Sequence, residues 1–214
     1  MNNKKKIFQS VLPATIAACM ISMSTGAIAA DSDPIKVGVM LPFSGVYAGL
    51  GESTRNGLKQ ALKEKGYTIA GRPVELIEMD TEAKPARAPE ITSSLVDNQK
   101  ADFVIGPVHS GVAMGMIKTI KGKDSIMIIP NAGANAATGA FCQPNVFRTS
   151  FSSWQTAFPM GKEAYDMGYK KIVTMSWNYG FGKESLEAFN ESFTKAGGEV
   201  IKEMLVPFPK TEFQ

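Results

Sequence analysis

Phe103-Val104-Ile105-Gly106-Pro107-Val108-His109-Ser110-Gly111 and its echo, Ile128-Ile129-Pro130-Asn131-Ala132-Gly133-Ala134, decide the fold. Each is an apolar run that ends in a loop of small residues, and each reads as a buried strand of a parallel sheet leading into a helix. The loops carry Ser, Asn and Gly and little bulk, so a ligand can come close to the backbone. A helix start leaves its first N–H groups without intrahelical acceptors and carries about half a positive charge. Two such starts side by side would hold a carboxylate without any Arg or Lys.

Working outward, Ile35 to Leu41 is a first strand and residues 42–51 its loop. Ser53 or Thr54 is expected to cap a helix reaching about Lys65, with Leu58, Ala61 and Leu62 inward and Gly66 ending it. Pro73 to Asp80 is a second strand, and the prolines at 85 and 89 open a helix carrying Ile91 and Leu95. A helix from about Gly111 to Ile120 follows the third strand, and Ser125 to Pro130 is the fourth. Strands alternating with helices call for a doubly wound parallel sheet, in which ligands sit beyond the carboxyl ends of the strands. The loops at 42–51, 106–111 and 130–134 all follow strands, so all three belong to that edge.

Past Pro144 the pattern changes. Val146 to Ser150 reads as an extended crossing segment, anchored by Arg148. A helix near Ser153 carries Phe158, Ala164 and Tyr165, with Trp154 as a packing residue. Lys171 to Trp177 is a strand, and Asn178-Tyr179-Gly180-Phe181-Gly182 is its loop. Leu186, Phe189 and Phe193 mark an amphipathic helix that Gly197-Gly198 stops. Val200 to Val206 is one more strand. The expected organisation is a leader at 1–30, a first α/β lobe at 31–150 and an incomplete second lobe at 151–214, with apolar faces left uncovered. Met114, Met116, Met127 and Met160 are read as core filler.

The leader has a basic Lys4-Lys5-Lys6, an apolar Val11 to Met23 and an Ala27-Ile28-Ala29 cleavage site, the signature of a secretory signal peptide. A lipoprotein box ending in Cys19 is the weaker rival. The chain carries 23 basic and 20 acidic residues, and three of the lysines lie in the leader, so the mature balance is zero. No basic stripe points to nucleic acid. After cleavage Cys142 is the one cysteine left, so an exported chain has no internal disulfide.

Enzymatic readings find little. A Ser-His-Asp arrangement would need His109, whose neighbour Ser110 is too close in sequence to face it. No G-x-S-x-G occurs, one His and one mature Cys make no usual zinc site, and Gly45, Gly49 and Gly51 do not fit G-x-G-x-x-G. Neither catalysis nor a cofactor is expected. Ser110 reads equally as a cap of the following helix and as a ligand donor. Tyr179 reads as a cleft residue or as packing beside Trp177 and Phe181. Asn131 to Gly133 is either a binding loop or a tight turn, and His109 reads as a surface loop residue, with lining of the cleft as the alternative.

In this order the features resemble the periplasmic branched-chain amino-acid-binding proteins, the type I substrate-binding proteins of ABC importers. The carriers are LPFSG at 41–45, IGPVHSG at 105–111, PNAGANAATG at 130–139, Phe147-Arg148-Thr149 and the loop at 178–182. The resemblance implies two lobes that close on a ligand, here with the second lobe incomplete. It implies that Ser110 and the backbone of Asn131, Ala132 and Gly133 take the ligand carboxylate and that Tyr179 closes over it from the second lobe. The family's loop hydroxyl falls at Gly133 and its first-loop aromatic at Leu50, where Tyr47 can substitute. A disulfide found in some members would join positions 83 and 109, which are Ala83 and His109. The acid that takes an amino acid's ammonium lies further along the family's chain than Gln214. The implied function is an extracytoplasmic, periplasmic solute-binding component for branched-chain amino acids or related small carboxylates, aromatic acids among them. The implied partner is an ABC permease in the inner membrane. The competing readings are a truncated product that binds nothing and the ligand-sensing domain of a membrane receptor.

Overall fold

Residues 33–210 and residue 212 are described by a computed structural model. The expected leader, with Lys4 to Lys6, Cys19 and the cleavage site at Ala29, lies outside the described residues.

The chain runs β1 (Ile35–Leu41), α1 (Ala48–Glu64), β2 (Thr68–Ile69), β3 (Arg72–Asp80), α2 (Ala88–Ser93), β4 (Phe103–Ile105), α3 (Ser110–Ile120), β5 (Ile126–Ile129) and β6 (Val146–Arg148). It continues through α4 (Ser153–Asp166), β7 (Lys171–Trp177), α5 (Gly180–Lys195) and β8 (Glu199–Val206). A first sheet has the order β2-β3-β1-β4-β5-β6, and β7 pairs with β8 in a second. Every pairing is parallel except β2 with β3. The expected α/β architecture with parallel sheets is therefore present.

Alternation along β1 sends Val37, Val39 and Leu41 to one face and Met40 to the other, and all four are buried. Met40 joins Leu95, Val104, Met116, Ile117, Ile120, Met127 and Ile129 in the larger core, between the sheet and helices α2 and α3. Val37, Val39 and Leu41 pack with Leu58 and Tyr47 of the α1 side. A parallel sheet covered on both faces needs such continuously apolar strands, and β1 supplies one.

Several local expectations change. The first helix starts at Ala48, because a 3-10 turn over Gly45–Tyr47 feeds directly into it. Ser53 and Thr54 thus lie inside the helix, and Thr54 Oγ1 donates to the Leu50 carbonyl instead of capping. Leu62 is buried, but Ala61 is exposed. A two-residue strand, β2, precedes β3 and folds back on it through Ala70-Gly71, so this hairpin escaped the sequence reading. Val146 to Arg148 is more than a crossing segment, since it pairs with β5 as the edge strand of the first sheet. Arg148 does anchor it, donating to the Ala134 carbonyl at 2.7 Å and to Thr138. Met116 and Met127 are core residues, whereas Met160 is 53% exposed on α4 and is no filler.

Candidate functional site

The site is built where the first sheet's strands end. Gly106 follows β4 with φ +149°, and a Cβ there would overlap the Met40 carbonyl oxygen. Only glycine lets the β4–α3 loop pass that close to β1. The loop is then laced to its neighbour: Gly106 N donates to the Ile128 carbonyl at 3.0 Å and Ala132 N to the Pro107 carbonyl at 3.1 Å. The loops that hold Ser110 and Asn131 to Gly133 are thereby brought side by side. The first loop is held from β3, where Asp80 Oδ1 accepts from Phe43 N and Glu82 N, each at 2.8 Å. Burial works against the charge on Asp80, but these amide donors, the Ser44 hydroxyl and the Arg87 charge together outweigh it and hold the carboxyl below its usual range.

The helix that opens at this edge is capped by His109, whose Nδ1 accepts from Gly111 N at 3.0 Å. Ser110 is the first residue of α3 and not its cap. Its Oγ is buried and has no hydrogen-bond partner among the described residues. A buried hydroxyl left unpaired costs about 1–3 kcal/mol, so it marks a place where an acceptor belongs. His109 is not a surface residue: it is only 3% exposed, and its ring stacks on Tyr179 at 4.1 Å between centroids. Burial lowers its pKa from the ordinary 6.5 to about 4, so it is neutral. With Nδ1 accepting, the neutral ring carries its proton on Nε2.

The second loop does not open an α-helix. Asn131 to Ala134 leads into a single 3-10 turn over Asn135–Thr138. Its backbone is instead tied across to α4: the Gly133 carbonyl accepts from Ser153 N at 2.7 Å and from Ser153 Oγ at 2.8 Å. The helix start that stands against α3 belongs to α5. A Cβ built on Gly180, the first residue of α5, would have one neighbour within 4 Å, the Ser110 Cβ at 3.4 Å. Tyr179 is the N-cap residue of α5, with no side-chain capping bond. Its hydroxyl shares a 2.6 Å hydrogen bond with that of Tyr47. Burial raises the pKa of both phenols, so both stay protonated. Phe208 backs the group, with its ring 5.2 Å from Tyr47, 5.1 Å from His109 and 5.2 Å from Tyr179.

A cavity of about 190 Å³ lies against these groups, lined by Tyr47, Leu50, Val108, Asn131, Gly133, Phe151, Tyr179 and Phe181. Five of the seven residues singled out from the sequence meet there. Ser110 and Ala132 are buried nearby and do not line it. Phe151, Phe181 and Val108 were missed as cleft residues. Phe181 and Val108 each lie two residues from a singled-out loop residue, Tyr179 and Ser110, whereas Phe151 has no such neighbour. Two larger depressions lie elsewhere, one of about 640 Å³ at the opposite strand ends beside Asp102 and Lys123, the other of about 350 Å³ on the second sheet beside Met175. Among the described residues, no charged side chain lines the small cavity. The arrangement offers hydrogen-bond donors at helix starts and flat apolar walls. His109 Nδ1 is occupied by Gly111 N and is not free to take a proton from Ser110.

Comparison with known proteins gives the geometry its context. The model of the periplasmic binding protein family matches residues 34–214. The Leu/Ile/Val-binding protein homolog 6 of Brucella abortus is 32% identical over 191 residues, 89% of this chain and 48% of that protein. Among solved structures, a solute-binding protein of an ABC transporter from R. palustris in complex with benzoate is 43% identical. Its TM-score is 0.82, over 85% of this chain and 51% of that one. One from Rhodopseudomonas palustris BisB5, in complex with 3,4-dihydroxybenzoic acid, is 31% identical with a TM-score of 0.77, over 82% and 48%. The chain thus spans about half the length of the relatives it matches. With a family match over nearly all the described residues and the strand-end site in place, the chain belongs to the periplasmic binding protein family.

Proposed function

We propose that the chain forms the solute-capturing part of an ABC importer's binding protein and takes a small carboxylate, with an aromatic monoacid preferred. The reading assigns residues 1–30 to a cleaved export leader, 31–150 to a ligand-binding lobe and 151–214 to the start of a second lobe. It places the protein in the periplasm, delivering to an inner-membrane permease. It is a binding role with no turnover. The carrying observation is one cavity lined by loops and helix starts that follow strands of both sheets, with a buried hydroxyl at the adjoining helix start that has no partner among the described residues. Ser110, the amides of Asn131 and Gly133, and the α3 start receive the carboxylate, while the Ala132 amide, bonded to the Pro107 carbonyl, holds the loop in place. Tyr47, Leu50 and Tyr179 flank the remainder of the ligand.

One comparison favours a flat acid over an amino acid: the 43% identical structure holds benzoate. Branched-chain amino acids are the second reading, carried by the Leu/Ile/Val-binding relatives. The preformed walls speak against a product that binds nothing. Calorimetric titration of the full chain with benzoate and with leucine tests the proposal. Benzoate binding that falls about tenfold or more in Ser110→Ala is expected, the effect of losing a hydrogen bond to a charged group. Absence of heat with both solutes, or indifference to Ser110→Ala, overturns it.

A further inference from the structure

We infer that the Tyr47–Tyr179 hydroxyl pair reads a second polar group of the ligand, which is a benzoate carrying a ring hydroxyl: that hydroxyl accepts the one phenolic proton the pair does not use itself. This rests on the carboxylate reading above and narrows its ligand class. The two hydroxyls share one hydrogen bond of 2.6 Å. Burial raises the pKa of both phenols, so both keep their protons. Two protons and one shared bond leave one O–H without an acceptor among the described residues. Both tyrosines line the cavity of about 190 Å³, so an occupant of that cavity is placed to take the spare proton.

The pair is held where it stands. The Tyr179 ring stacks on His109 at 4.1 Å, and the Phe208 ring lies 5.2 Å from both Tyr47 and Tyr179. A donor fixed in advance loses little freedom when a ligand arrives, so more of its hydrogen bond is kept as affinity. The rest of the lining leaves a ring hydroxyl few choices. Leu50, Val108, Phe151 and Phe181 offer apolar side chains, and Asn131 and Gly133 belong to the loop that takes the carboxylate. Turned toward the apolar walls, a ring hydroxyl loses its water without gaining a partner. Turned toward the pair, it accepts the spare proton, and its own proton meets lone pairs that the two phenols still have. An unsubstituted ring, or one bearing a methyl group, leaves the spare proton facing carbon. The cavity is smaller than the about 300–1,000 Å³ of drug-sized sites, which suits a single ring with small substituents.

Calorimetry of the full chain tests this with benzoate, with 3- and 4-hydroxybenzoate, and with 3- and 4-methylbenzoate, which match the hydroxyl in size and lack its acceptor. One hydroxybenzoate is expected to bind about 3- to 10-fold more tightly than benzoate and than the methylbenzoate of the same pattern, the net worth of one neutral hydrogen bond. In the double variant Tyr47→Phe/Tyr179→Phe that ratio is expected to fall to about one, whatever happens to the affinity for benzoate itself. Equal affinity for the hydroxy and methyl acids in the unmodified chain overturns the inference and leaves the carboxylate reading standing. A preference that survives in the double variant does the same, because another group then reads the hydroxyl. Absence of binding by leucine and by all five aromatic acids overturns both. Thermal melts check that the double variant folds. Should it fail to fold, the Cζ resonances of Tyr47 and Tyr179 in the unmodified, isotope-labelled chain decide. Larger shifts with the hydroxybenzoate than with its methyl counterpart support the inference, and equal shifts overturn it.

Discussion

The two sheets hold up opposite walls of one cavity, and they are covered very differently. The first has six strands, apolar on both faces, with β1, β4 and β5 buried against α2 and α3 on one side and the α1 side on the other. The second has two strands, β7 and β8, which pack against α5, and Thr174 of β7 is buried. Val173, Met175 and Ile201 of β7 and β8 remain more than half exposed. Helices α4 and α5 do pack tightly, around the fully buried Phe193. Among the described residues, the loops of the first sheet thus rest on a sheet covered on both faces, while Tyr179 and Phe181 follow a sheet with one open face.

The largest break in this comparison should come from the first sheet's core. Leu95→Ala removes a fully buried side chain and is expected to cost about 3 kcal/mol in urea unfolding. A loss under about 1 kcal/mol would mean that the first sheet is no firmer than the second. Acidification should act next, through the contact between the sheets. The pKa of His109 lies below its unfolded value, at about 4 against 6.5. Between those values the unfolded chain binds more protons, so stability is complete above pH 6.5 and is lost as pH falls toward 4. After allowance for screening at the cleft edge, the loss is about 1–2 kcal/mol. His109→Gln should flatten the unfolding profile in that window, and an unchanged slope would contradict the burial of the ring.

A smaller effect sharpens the contact itself. Tyr47→Phe and Tyr179→Phe each remove the 2.6 Å hydrogen bond, and each is expected to cost about 1 kcal/mol. The double variant should lose little more than either single one, because the same bond is gone. Additive losses would show that the two hydroxyls act separately. The smallest change belongs to the open face of the second sheet. Val173→Thr and Ile201→Thr should each alter stability by less than about 0.5 kcal/mol while improving solubility. A large loss would mean that this face is covered in the protein studied.

Much of the fold was legible because parallel strands are short apolar runs closed by glycine and proline, as at Phe103 to Pro107 and Ile126 to Pro130. The loops converge because right-handed crossovers put every such strand end on one edge. Tyr47, Leu50, Asn131, Gly133 and Tyr179 were found that way. The α1 start was misplaced because Ser53 and Thr54 are good caps in any chain, whereas the 3-10 turn before them answers to the Asp80 carboxylate on a neighbouring strand. The β2 hairpin was missed because Thr68 and Ile69 have too few residues to show alternation. Phe151 gave no local sign of facing the cavity, and His109 looked like a loop residue because its stacking partner is Tyr179, 70 residues further on.

By itself the sequence determined the alternation of strands and helices, the edge on which a ligand belongs and the uncharged character of the donors there. These follow from local periodicity and from residue types that have one good conformation in a loop. Only the tertiary structure decided which helix starts meet. The sequence paired Ser110 with Asn131, and folding pairs it with Gly180. Contacts between distant segments depend on how packed layers are placed in three dimensions, and no short stretch of chain carries that information.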